Sequence, residues 1–269
     1  MFTKLLKHEV KSCAPLLGIL SACLFIVAIL TGLDIRFILS NNTIPEALYA
    51  PGILFAVFAY LSLFGYLIAC LFVPISRFYK SRFTDEGYLT FTLPAKTSHI
   101  FLSSAVNIMI WQVVEILVVF ISIAGLLLIA VPMAEAKQAI ESMFQVLPTI
   151  FADFFDDSVW IAYLIILPIN WLSAVVLPMT AVVIGSIAAK KHKILAAIGT
   201  YYGITILSSI LSSAATASLA LNTMLIDTVM SMAQFIVTFS ISAAIVPALL
   251  TVCGYLLSIH LMKRKLNLP

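Results

Sequence analysis

The chain has 269 residues, of which 62% are hydrophobic and only 10% charged, with a formal net charge of +3. That charged fraction is well below the roughly 25% of a soluble globular domain, and the long apolar runs match the ~20 residues a helix needs to cross a bilayer core. The expected fold is an all-α integral membrane protein, a single transmembrane domain over 1–269, with no room for a soluble domain beside its spans.

Residues 1–12 alternate Phe2, Leu5, Leu6 and Val10 with Lys4, Lys7, His8, Glu9 and Lys11. This pattern predicts an N-terminal amphipathic helix in the inner interface; a plain positive flank is the alternative. The apolar run that follows is too long for a signal-peptide core and has no evident cleavage site, so it reads as a retained first span. Apolar runs bounded by charge, Pro or Asn predict six spans: 13–35, 53–77, 100–131, 159–189, 194–221 and 236–262.

The richest polar interruption, Arg77–His99, lies between the second and third spans and leaves 78–99 as a loop. An outer segment, 132–158, places Ile140, Met143, Phe144 and Leu147 on one helical face, as expected of a helix along the outer leaflet or at the mouth of the bundle. Its acids Glu135, Glu141, Asp153, Asp156 and Asp157 could attract a cation, or simply face water while Asp157 and Ser158 cap the next helix. The Met-rich connection Asn222–Phe235 could dip back into the membrane.

With a cytoplasmic N-terminus, the inner segments hold Lys4, Lys7, Lys11, Arg77, Lys80, Arg82, Lys96, Lys190, Lys191, Lys193, Lys263, Arg264 and Lys265, against Arg36 and Lys137 outside. This asymmetry predicts both termini in the cytoplasm and an even number of spans. Cys13, Cys23, Cys70 and Cys253 are scattered without a Cys-x-x-Cys pair, and His8, His99, His192 and His260 sit beside basic clusters at span ends. Neither set offers a metal or haem site inside the membrane.

Within the third span, Glu115 lies 15 residues after Ile100, about 22 Å along the axis and close to mid-bilayer. Ser104, Asn107, Trp111, Glu115 and Ser122 form one polar stripe, so this face should be buried against protein and the carboxyl paired or protonated. It is either a substrate or proton site or a hydrogen-bonded structural group. The fourth span contains Pro168, Asn170 and Pro178, which predict a kink lining a path or packed around proline. Gly199 and Gly203 with the Ser-rich run after them suggest a dimer seam or a cavity wall. The sequence has no phosphate-cradling Gly-x-x-x-x-Gly-Lys-Ser/Thr and no His-Glu-x-x-His or Gly-x-Ser-x-Gly, so an ATPase or intramembrane hydrolase is not expected.

Phe78-Tyr79-Lys80 followed by Thr84-Asp85-Glu86-Gly87-Tyr88-Leu89-Thr90-Phe91-Thr92-Leu93-Pro94 resembles the membrane subunits of type-2 ATP-binding-cassette (ABC) transporters of Gram-positive bacteria, as does the ending Lys263-Arg264-Lys265-Leu266-Asn267-Leu268. The resemblance implies a permease in the bacterial plasma membrane that exports an amphipathic peptide, drug or lipid-like cargo. Two cytoplasmic ATPase subunits would bind ATP and Mg, a second permease copy, identical or related, would complete the path, and no cofactor is implied in this chain. A coupling helix between spans 2 and 3 would dock the ATPase through Thr84, Asp85, Glu86, Gly87, Tyr88, Leu89 and Phe91. Physical chemistry suits that role: two acids near a short helix's start, a glycine for a turn, and aromatic anchors. Thr97 or Ser98 could then cap the third span. Relatives of this group concentrate outer structure between spans 5 and 6, whereas here it falls between spans 3 and 4, so no gating residues carry over. Glu115, Trp111, Asn107 and Asn170 remain candidates for the path. The alternatives are a secondary transporter that uses Glu115 as its proton site, and a membrane immunity or sensor protein that transports nothing.

Overall fold

A computed structural model describes residues 2–40, 46–84, 87, 96–156, 159–189, 191–225 and 232–264. Seven helices are present among these residues: α1 (Phe2–Ser40), α2 (Glu46–Phe83), α3 (Thr97–Ala130), α4 (Met133–Asp156), α5 (Val159–Ala188), α6 (Lys193–Leu225) and α7 (Met232–Arg264). All but α4 are long and apolar enough to cross a membrane, so the chain is an all-α, multi-pass membrane protein.

Most helices run past the ends expected from hydropathy. The 39 residues of α1 extend about 58 Å, nearly twice the hydrocarbon thickness. Hydropathy marks only what lipid tolerates, whereas backbone hydrogen bonding continues into the interface. Residues 2–12 are therefore the first turns of α1 and not a separate helix, since Ser12-Cys13-Ala14 holds no glycine or asparagine stop and Pro15 interrupts a single bond. Most of their amphipathic pattern persists, with Phe2, Leu5, Leu6 and Val10 partly buried and Lys4, Lys7, His8 and Lys11 exposed, but Glu9, expected among the polar residues, is buried. Most of the connection 222–235 is likewise helical, as the end of α6 and the start of α7. Its remaining residues, 226–231, lie outside the described ones, as do Asp157 and Ser158.

The helices fall into two compact units, residues 1–77 with 106–147, and residues 78–105 with 148–269. In the first, α1 meets α3 where Asn107 Nδ2 lies 3.7 Å from Cys13 Sγ, and again where Gly32 rests against Leu126 and Ile129. Both partners advance together along the sequence, so these two helices are parallel. Between α1 and α2 the order reverses, with Ser21 bonded to Tyr66 at 2.9 Å and Gly52 set against Asp34 and Ile38, so that pair is antiparallel. Cys13, Leu17, Leu24, Tyr66 and Cys70 form the core between them, with Trp111, Val118 and Val119 added from α3.

The second unit repeats this alternation with α5, α6 and α7. Thr251 Oγ1 lies 2.7 Å from Ser173 Oγ, and Ser258 Oγ lies 3.2 Å from Thr180 Oγ1. Ile166 and Ala244 share a small apolar core, with Ala162, in the same register. Each step is seven residues on both helices, so α5 and α7 are parallel along a heptad seam. Ser173 donates its own proton to the Ile169 carbonyl and Thr180 to that of Val176, so both accept from α7. The α5–α6 hairpin closes where Gly185 meets the backbone of Ala196 and Ala197.

A Cβ at Gly185 would fall 2.3 Å from the Ala197 nitrogen, whereas Gly199 has nothing within 4 Å. Gly185→Ala is accordingly expected to lower stability by about 1–3 kcal/mol, read as a lower melting temperature of the purified protein. Gly199→Ala should leave it unchanged or raise it slightly, since alanine is the better helix former.

Candidate functional site

The segment expected to dock a partner begins where α2 ends. The Gly87 amide donates to the Thr84 carbonyl at 2.8 Å, which closes a turn, and the Thr84 hydroxyl bonds back to the Lys80 carbonyl. Gly87 is buried in this turn. Asp85, Glu86, Tyr88, Leu89 and Phe91 lie outside the described residues. On the far side, His99 and Ile100 donate their amides to the Lys96 carbonyl at 2.9 and 3.2 Å. Lys96 thus holds the cap position of α3, and Thr97 and Ser98, the expected caps, lie inside its first turn.

An aromatic column joins the two ends of this loop. Phe78 on α2 packs edge-on against Phe83 at 5.8 Å and against Phe101 on α3 at 6.0 Å, and Phe101 in turn meets Tyr255 on α7 at 5.6 Å. Tyr79 stacks on Phe83 at 6.2 Å. These edge-to-face distances are those at which aromatic pairs attract beyond simple burial. Phe78 is 2% exposed and Phe101 fully buried, so the column is a packed core. Through Tyr255 it reaches α7, three residues before Ser258 of the hydroxyl seam.

The polar stripe of α3 is buried as its periodicity requires, with Ser104, Asn107, Glu115 and Ser122 all less than 9% exposed. Two of its members satisfy themselves: Ser104 bonds to the Ile100 carbonyl and Ser122 to that of Val118. Asn107 and Trp111 differ. The Oδ1 of Asn107 and the Nε1 of Trp111 are buried without a hydrogen-bond partner among the described residues, and the Asn107 amide nitrogen makes a long, weak bond to Cys13 Sγ. One turn further, Glu115 is buried on the same face. Glu115, Trp111 and Asn107 therefore share the core of the first unit, in successive turns of one helix face.

The other candidates stand apart from that face. Asn170 is exposed on α5 in the second unit. Gly199 and Gly203 are exposed on α6, and among the described residues no atom outside their own stretch of helix lies within 4 Å of a Cβ placed on either. The hydroxyls around them, Thr200, Thr205, Ser209 and Ser213, each donate to a carbonyl of α6 itself. Sequence reasoning did not find the aromatic column or the seam between α5 and α7. The signal for the seam was present in the shared seven-residue spacing of Ser173 and Thr180 with Thr251 and Ser258. For the column there was none beyond aromatic residues at helix ends.

Removing the ring of Phe101 should cost about 3–5 kcal/mol, measurable for Phe101→Ala by denaturant unfolding in detergent. Replacing Asn107 by Leu removes an orphaned buried acceptor at similar volume and should raise stability by about 1 kcal/mol in the same assay. No protein-family model matches the chain, nor does any curated protein or solved structure.

Proposed function

We propose that the chain is the membrane-spanning subunit of an ABC exporter in the bacterial plasma membrane, with both termini cytoplasmic. The loop between α2 and α3 carries the reading; it is shorter than the 78–99 expected from hydropathy, since α2 runs on to Phe83 and α3 begins at Thr97. It is the most polar interruption between spans, it bears the Thr84–Pro94 motif on which the family resemblance rests, and both its ends are gripped by one buried aromatic column. Partner ATPases that bind ATP and Mg and close on each other would press on this loop. A loop whose ends are packed on Phe78, Phe101 and Tyr255 passes such a push to α7, and the heptad seam carries it to α5. The moving element is then a set of packed helices, as in shear-type switching. Asp85 and Glu86 would meet basic groups of the partner, Tyr88 and Phe91 its apolar groove, and a second permease copy would complete the path for an amphipathic cargo.

A second reading draws on the first unit. Glu115 lies in its core one turn from Trp111 and two from Asn107, whose Nε1 and Oδ1 respectively have no hydrogen-bond partner among the described residues. Buried polar groups of this kind in a span mark proton or substrate sites in secondary carriers.

The two readings separate experimentally. In the purified complex reconstituted in liposomes, Tyr88→Ala and Asp85→Arg should each abolish association with the ATPase subunit and at least 90% of cargo-stimulated ATP hydrolysis, with the permease still inserted. Retention of a stoichiometric, active ATPase in both variants would overturn the exporter reading. Transport by the permease alone down a proton gradient, lost in Glu115→Gln, would establish the carrier instead.

A further inference from the structure

Helix α4 is unlike its neighbours. Over its 24 residues, apolar side chains recur at three- and four-residue spacing, and the opposite face carries Glu135, Gln138, Glu141, Ser142, Gln145 and Thr149. The apolar face is uncovered. Ile140, Met143, Phe144, Ile150, Phe151 and Phe155 are between 44% and 64% exposed, and neither apolar core found among the described residues includes them. The polar face is solvated too, with Lys137 and Glu141 paired at 3.9 Å and largely exposed. In water such a helix would leave a continuous aromatic and aliphatic stripe unburied, an exposed apolar surface of the kind that marks a protein or membrane contact.

Its covalent attachments decide where it lies. Two residues separate it from α3 and two from α5, and both of those helices are long and apolar enough to span. Neither end can therefore move more than about 10 Å from the ends of those two spans. A depth marker lies beside it: Phe151 stacks on Phe155 at 6.2 Å, and Phe155 packs on Trp160 at 5.5 Å. Trp160 opens the apolar span of α5, the depth at which tryptophan gathers at membrane interfaces. The row of rings therefore fixes the apolar face of α4 at that level.

We propose that α4 lies in the plane of the outer leaflet, with its apolar face covered by phospholipid and its polar face in water. The face would sink about 5–10 Å into the boundary between headgroups and acyl chains. Glu135, Glu141, Asp153 and Asp156 outweigh Lys137, so the lipid is zwitterionic or neutral; an anionic surface would repel this helix. This assignment is independent of whether the chain exports or exchanges protons.

The test places a nitroxide on p-acetylphenylalanine, which leaves the four native cysteines untouched. Positions 144 and 151 replace one aromatic residue by another on the apolar face, and positions 145 and 149 report the polar face. In phosphatidylcholine nanodiscs, labels at 144 and 151 should collide with oxygen several-fold more than with a water-soluble nickel chelate, and labels at 145 and 149 should show the reverse. Collision of 144 and 151 with nickel would mean that the helix stands in water. Shielding of those two positions from both reagents would mean that protein, such as a second copy, covers the face. Either result overturns the assignment. Met143 and Ile150 provide a second pair should a labelled variant fail to fold.

Discussion

In hydrocarbon no water is available to satisfy a polar atom, and this constraint shapes every described helix of the chain. Backbone groups are satisfied by helix formation along six apolar segments. Side-chain hydroxyls are satisfied almost as locally: Ser21, Thr31, Ser62, Ser103, Ser122 and Thr216 each return a proton to a carbonyl three or four residues earlier. A hydroxyl that donates within its own helix still has lone pairs to offer a neighbour. The contacts between α5 and α7 use that residual capacity, and so does the pairing of Ser21 with Tyr66. Such contacts contribute only about 0.6 kcal/mol each in membranes, less than the packing around them, but they fix register where apolar side chains alone would slide.

Seen this way, the groups that do not satisfy themselves are the informative ones. Asn107 and Trp111 cannot bond back to their own helix as a serine does, and they are held in a core that offers them little. Glu115 follows on the same face. A chain that could have placed leucine at these positions keeps three polar side chains in successive turns of one buried face. The aromatic column is the opposite kind of feature. It is apolar, tightly packed and free of unmet bonds, and suited to bearing load.

Much of this was legible in the residues. The composition fixed the class, and the apolar runs located all six long helices because lipid imposes a minimum length that few other structures share. The buried face of α3 could be read from Ser104, Asn107, Glu115 and Ser122 at helical spacing. What escaped was whatever depends on pairing between distant segments. Nothing near Phe78 names Tyr255 as the end of its column, and Thr251 identifies Ser173 only once the two helices lie side by side. Helix ends were misjudged for a different reason: Phe2–Lys11 and Asn222–Leu225 are too polar or too near a charge to count as spans, yet nothing stops their hydrogen bonding. Residues 85, 86 and 88–91, which the resemblance singled out, lie outside the described residues.

The hydroxyl seam has a mechanical consequence. The Thr251 hydroxyl lies 2.7 Å from the Pro247 carbonyl as well as from Ser173. Were α7 to separate from α5, Thr251 could turn its proton to Pro247, while Ser173 and Thr180 would keep the bonds they already make to Ile169 and Val176. Parting would strand none of these three protons; of the four seam hydroxyls, Ser258, which donates to Thr180, would lose its acceptor. A ladder built this way works as a reclosable fastening, firm enough to set alignment at rest while most of its protons keep a partner if it opens.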